Sequence, residues 1–307
     1  MELFQGIKVD WLGKRKMFFV ISIALMLLGM ASLVMKGNFR YGLDFKGGTL
    51  VRVKFKDPVD IGDIRKLMPQ ANIQTATARV GDAPEYQIEL ENASGSEDQV
   101  DATAGLAAVT KALNMSFAGK FTIEGSNGVS PKVGKDLRTQ AVRATIYALV
   151  GILIYIALRF EWIYGAAAVF AVFHDTLVTL GLFSVFNYEI NLTVIAALLT
   201  LVGYSVNDTI VVFDRVRENL KTRRRDDFET VLNDSINQTL SRTILTSGLT
   251  FMTVIALFVF GGEIINNFAF AMVIGIVVGT YSSVAVAAPL VLVYTNLKRS
   301  RMAMSRR

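Results

Sequence analysis

The chain has 307 residues, of which 52% are apolar and 19% charged, and Lys+Arg exceeds Asp+Glu by 32 − 26 = 6. With a mean hydropathy of +0.43, this composition argues against a soluble domain and for membrane-spanning helices. The absence of cysteine excludes thiol nucleophiles, disulfides, iron–sulfur clusters and Cys-ligated zinc, and a single histidine, His174, excludes multi-histidine metal sites.

Residues 17–35 carry no charge and suffice for one helical crossing of a hydrocarbon core about 30 Å thick. Lys14-Arg15-Lys16 precede them as in a signal peptide, but the run exceeds the usual ~7–15 apolar residues and no small-residue cleavage site follows. The segment therefore reads as an uncleaved anchor, with 1–35 holding the N-terminus and the first span.

The polar stretch 36–138 is large enough for a domain of its own. Thr49, Val51, Val53 and Phe55 alternate with Leu50, Arg52, Lys54 and Lys56, the period-2 pattern of a strand. A short helix is expected near 59–68, ending at Pro69, then strands at 72–80 and 85–91 around a turn with Gly81, Asp82 and Pro84. Ser96-x-x-Gln99 has the form of a capping box opening an Ala-rich helix to about Leu113, and a last strand falls near 120–125. The order β-α-β-β-α-β predicts a ferredoxin-like α+β sandwich.

Five more apolar runs follow at 141–158, 163–186, 190–213, 243–262 and about 267–292. The fold class expected is thus an α-helical polytopic membrane protein with six transmembrane helices and a small α+β ectodomain between the first two. The five later spans occupy 139–297, and 298–307 is a basic tail. Between the fourth and fifth spans, 214–241 carries Phe228, Val231, Leu232, Ile236 and Leu240 at helical spacing, with Asp226 and Glu229 placed as a cap pair. This amphipathic connector either lies in the interface, docks a partner, or packs on the bundle's own end.

Lys and Arg cluster in one set of connections: Lys8 to Lys16, Arg159, Arg215 to Arg242, and Lys298 to Arg307. The opposite short loops, 187–189 and 261–266, have none. That bias places both termini in the cytoplasm and 36–138 outside, and it assigns the basic surface to anionic membrane lipid, not to nucleic acid.

Ionisable residues at membrane depth cost roughly 2.5–3.5 kcal/mol each even on a lenient scale, so those present need a reason. Asp208 lies about 9 Å inside the boundary near Asp214. Gly203 and Ser205 would let a neighbouring helix approach, and Tyr204 and Asn207 would supply hydrogen bonds. Burial and a nearby cation would pull its proton affinity in opposite senses, making Asp208 a candidate ion carrier or else a structural clamp. Arg242 opens the fifth span, where it either reaches inward to Asp208 or extends to headgroups. His174-Asp175, near the middle of the third span, reads as a packing pair or a proton relay, with His174 orienting Asp175. Gly275-x-x-x-Gly279 is a helix-packing motif. Gly47-Gly48 is not followed by Gly-Lys-Ser/Thr, so no phosphate loop is present. Energy would come from an ion gradient, with no cofactor or metal.

Several stretches together resemble one family. Gly42-Leu43-Asp44-Phe45-Lys46-Gly47-Gly48 is similar to its G-[IL]-D-F-x-G-G signature. Arg159-Phe160-Glu161-Trp162, His174-Asp175 with Thr179-Leu180-Gly181, Val202 through Asn219, and Gln238 through Thr243 leading to Thr246-Ser247-Gly248 are similar too, in the same order. The family is SecF, the SecD/SecF proteins of the resistance–nodulation–division superfamily, found in the bacterial plasma membrane. The resemblance implies an accessory of protein export acting with SecD beside the SecYEG channel and its small subunit YajC on a translocating unfolded polypeptide. It implies use of the proton or sodium gradient, with Asp208 and Arg242 in ion conduction, and an ectodomain of ferredoxin-like fold that handles the emerging chain. One departure, Ser130 in Val129-Ser130-Pro131-Lys132-Val133-Gly134 where the family has glycine, puts the geometry of that turn in question. With six spans, half the superfamily's usual set, the chain would need SecD to cover its polar face. A passive scaffold of the translocon and a solute exporter of the same superfamily are the alternatives.

Overall fold

The computed structural model describes residues 8–76, 85–91, 102–159 and 161–304. The 81–84 turn, the far end of the 72–80 strand, the Ser96–Gln99 box, Phe160 and the last residues of the basic tail lie outside them.

Six helices among the described residues are long and apolar enough to cross a membrane. They are α1 (Arg15–Lys36), α5 (Pro131–Arg159), α6 (Trp162–Phe186), α7 (Leu192–Thr222), α8 (Phe228–Phe260) and a sixth built from α9 (Gly262–Ser282), one π turn (Ser283–Ala287) and α10 (Ala288–Met304). Between α1 and α5 lie α2 (Leu43–Lys46), β1 (Gly48–Phe55), α3 (Ile61–Leu67), β2 (Asn72–Ala76), β3 (Glu85–Glu91), α4 (Ala102–Phe117) and β4 (Phe121–Val129). The sheet order is β2-β3-β1-β4 with every pairing antiparallel. The alternation in β1 buries Val51, Val53 and Phe55 against Ile64, Ile88, Val109 and Leu113.

Three boundaries differ from expectation. α5 starts ten residues before its apolar run, at Pro131, because Ser130 and Pro131 form a helix start: the Ser130 hydroxyl accepts from Val133 N at 3.2 Å. Ser130 does not have positive φ, so serine suits this turn as a cap. No separate connector helix exists at 214–241. α7 continues to Thr222 and α8 begins at Phe228, because Phe213, Val216, Phe228, Leu232 and Ile236 bury one another together with Leu12. The cap of α8 is Asp227, whose carboxylate accepts from Glu229 N at 3.1 Å, while Asp226 pairs with Arg223 at 2.6 Å. The sixth span runs past 292 to Ser300 without a break.

The sheet sits on the bundle through the 40–48 turn. Gly42 N donates to Ile190 O at 2.8 Å, Ile190 N donates to Arg40 O at 2.8 Å, and Arg40 pairs with Glu189 at 2.8 Å. Burial at this seam pushes the Glu89 carboxyl up, opposed by the Asn72 amide that donates to it at 3.0 Å.

Candidate functional site

α7 carries the first site. Asp208 is 3% exposed, and its carboxylate accepts from Ser247 Oγ of α8 at 2.9 Å. Arg242, one turn and a half earlier on α8, acts on Asp208 through its charge, but no ion pair within 4.0 Å joins them among the described residues. Arg242 is exposed. Of the two readings of Arg242, the structure shows the outward one, and Ser247 of the same helix stands against Asp208 instead. Asn207 and Gly203 are also exposed, and the buried Tyr204 hydroxyl makes no hydrogen bond among the described residues. Neither residue hydrogen-bonds to Asp208 among the described residues: Asn207 projects from another face of α7, and Tyr204, one turn earlier on the same face, leaves its hydroxyl without a partner.

A second polar cluster lies beside it, where α6, α7 and α9 meet. Asp175 and His174 are 1% and 2% exposed. Asp175 Oδ2 accepts from Ser205 Oγ of α7 at 2.5 Å and from Ser282 Oγ of α9 at 2.8 Å, while its Oδ1 lies 2.9 Å from His174 Nδ1. His174 Nε2 is buried and has no partner among the described residues. Beside them Thr209 Oγ1 and Ser283 Oγ are 2.9 Å apart, and the π turn begins at that serine. Three donors on one buried carboxylate tie three helices together, and each such bond to a charged group is worth about 1.5–3 kcal/mol. The sequence brings His174 and Asp175 together, whereas the two serines come from tertiary packing. Gly275 and Gly279 let α9 meet α7 closely: a Cβ at Gly275 would stand 2.4 Å from Leu201, and one at Gly279 3.0 Å from Ser205 Cβ. The packing reading of that motif holds.

The signature turn is a seam between domain and bundle. Asp44 accepts from Leu192 N at 3.0 Å, satisfying a first-turn donor of α7, while Asn191 accepts from Val194 N at 3.0 Å. Gly42 meets Ile190, and Gly47 and Gly48 hold φ of +81° and +154° where the backbone passes Pro131 and Leu90. Asp44→Ala should remove the cap and cost about 1 kcal/mol. The check is a lowered Tm in detergent, and an unchanged Tm would show the cap to be idle.

On the outer face of α7, Thr193, Ala196, Thr200, Gly203 and Asn207 recur every three to four residues, all exposed. On α8 the exposed Arg242 and Thr246 stand one turn apart, with the exposed Thr253 two turns further on. Among the described residues no three His, Cys, Asp or Glu side chains gather as metal ligands.

The family model described as "Protein export membrane protein SecD/SecF, C-terminal" matches residues 109–297, and "SecD/SecF GG Motif" matches 39–59. The chain is 38% identical to the protein translocase subunit SecF of Koribacter versatilis, over 98% of this chain and 95% of that one. It is 42% identical to the subunit of the same name from Calditerrivibrio nitroreducens, over 95% of each. Among solved structures it is similar to SecDF, a translocon-associated membrane protein from Thermus thermophilus, with a TM-score of 0.78 and 34% identity over 95% of this chain. A super-membrane-facing form of SecDF gives a TM-score of 0.75 and 35% identity over 99% of this chain. The chain spans only 39% and 41% of those two proteins.

Proposed function

Because the chain belongs to the SecD/SecF family of protein-export membrane proteins, we propose that it is the accessory half of an export machine that works with SecD beside the Sec channel. In this reading it spends a proton or sodium gradient on late translocation and release of unfolded polypeptides. The observation that carries the proposal is Asp208: a carboxylate inside a span, buried, held among the described residues by one hydroxyl and no ion pair, beside a cation. Such a group can take up and release a cation without dismantling a salt bridge. The exposed small and polar stripes of α7 and α8 support a close-packed helical partner, since lipid tails offer Asn207 and Arg242 no hydrogen bonds. SecD has the chemistry to fill that place. The strand order β2-β3-β1-β4 supports a ferredoxin-like external domain. YajC, like membrane lipid, would contact the assembly without entering this site.

The test is co-reconstitution with SecD and the channel in vesicles, following export with and without an imposed gradient. Export should quicken with the gradient and return to its basal rate when an ionophore collapses it. Equal rates under both conditions would favour a passive scaffold.

Orientation is checked separately. The Lys/Arg bias supports cytoplasmic termini, so protease added outside intact cells should cut within 36–138 and spare the 223–227 turn. The reverse pattern would invert the topology.

A further inference from the structure

A cleft of about 420 Å³ opens where α5 ends, α6 begins and α7 extends past the membrane boundary. Arg159, Arg217, Lys221 and Arg224 line it, against one acid, Glu161. Arg159 is joined to Asp214 at 3.3 Å, at the level where the apolar runs of the second and fourth spans end. Arg217, Lys221 and Arg224 are exposed and have no ion-pair partner among the described residues. Arg217 and Lys221 stand one turn apart on α7, and Arg224 follows two residues past the end of the helix.

At 1.5 Å per residue, Arg217 and Lys221 lie about 4.5 and 10.5 Å beyond Asp214 along α7. The headgroup layer is about 5–8 Å deep on each side of the hydrocarbon, so long basic side chains can reach back into it. The cleft is amphipathic as well as basic. Leu220 forms an apolar wall, and Leu158, 85% exposed, extends that wall toward the hydrocarbon at the end of α5. Cations at headgroup depth above an apolar wall fit one ligand class, a phospholipid whose headgroup carries net negative charge. A free phosphate would use the cations and leave the wall without purpose.

We propose that this cleft binds an anionic phospholipid, its phosphate against Arg217, Lys221 and Arg224 and an acyl chain along Leu158 and Leu220. The site is independent of ion coupling at Asp208 and needs only the membrane boundary that the apolar run places near Asp214.

The chain has two tryptophans, Trp11 and Trp162, and Trp162 opens α6 beside the cleft-lining Glu161. In a Trp11→Phe background Trp162 is therefore a local reporter. The full chain would be placed in phosphatidylcholine vesicles containing either phosphatidylglycerol or phosphatidylcholine with brominated acyl chains, and Trp162 quenching followed against mole fraction. Each cation near the surface contributes about 1 kcal/mol, or about fivefold in affinity. Brominated phosphatidylglycerol should therefore half-quench at a mole fraction at least about fivefold below that of brominated phosphatidylcholine. Arg217→Gln with Lys221→Gln should erase that preference. Arg217→Lys with Lys221→Arg, which keeps the charge, should retain it, as should Lys14→Gln with Lys16→Gln at a distant basic cluster. Equal quenching by both lipids would overturn the proposal, as would a preference that survives the first pair of changes. Loss of the preference on adding millimolar inorganic phosphate would reassign the cleft to soluble phosphate.

Discussion

Replacing Asp208 by Asn is expected to leave the protein folded and to abolish the gradient-dependent part of export. Asn keeps the shape of the side chain and can still accept from Ser247, which now holds the carboxylate at 2.9 Å, but it cannot exchange a cation. One elementary charge moving down 100 mV releases about 2.3 kcal/mol, a bias of about 50-fold on the step it drives. Asp208→Asn should forfeit that factor while basal export is unchanged. Ser247→Ala removes the donor but not the charge, so it should keep a gradient response. Arg242→Gln should weaken the response and Arg242→Lys restore much of it, since the arginine acts on Asp208 through charge and not through a direct pair. If Asp208→Asn exports like the parent under a gradient, Asp208 is a structural clamp and the coupling must lie elsewhere, with the His174–Asp175 cluster the next place to look.

Gly48→Ala should be the most damaging change at the domain seam. Gly48 has φ +154°, and a Cβ there would stand 2.3 Å from Leu90 O and 2.4 Å from Leu43 Cδ1. Leu90 belongs to β3, whose pairing with β1 cannot shift without moving the sheet. Overpacking of this kind costs about 1–3 kcal/mol and the backbone conformation adds about 1–2. A loss near 3 kcal/mol should lower the Tm and expose the 40–48 turn to protease. Gly119→Ala is the matched control: its φ is +74°, yet a Cβ there meets nothing within 4 Å, so only the conformational cost applies. Equal effects from the two changes would mean that the close approach at Gly48 carries no energy.

How much of this was legible in the sequence differs by residue. The apolar runs announced six spans because length and hydropathy are local properties, and the period-2 run from Thr49 announced β1 for the same reason. The helical extension of α7 to Thr222 was missed, since Phe213, Val216 and Phe228 gain their burial from one another across a turn. Asp208 stood out as a charge at membrane depth. Its partner did not, because Ser247 is an ordinary residue in an apolar helix until packing turns it inward. The same holds for Ser205 and Ser282 around Asp175, and the π turn at Ser283–Ala287 has no signal in composition or spacing.

The sequence alone determined that the chain carries six membrane-spanning helices and a polar domain between the first two. It also placed an acid in the fourth span, because the hydrophobic effect and the cost of buried charge act on each segment by its own content. Tertiary structure alone decided which face of each helix meets which neighbour. That choice set a serine instead of an arginine beside Asp208, turned Asn207 and Arg242 outward, and gathered three free cations into one cleft, since helix rotation is fixed by packing against other helices and not by any residue taken singly.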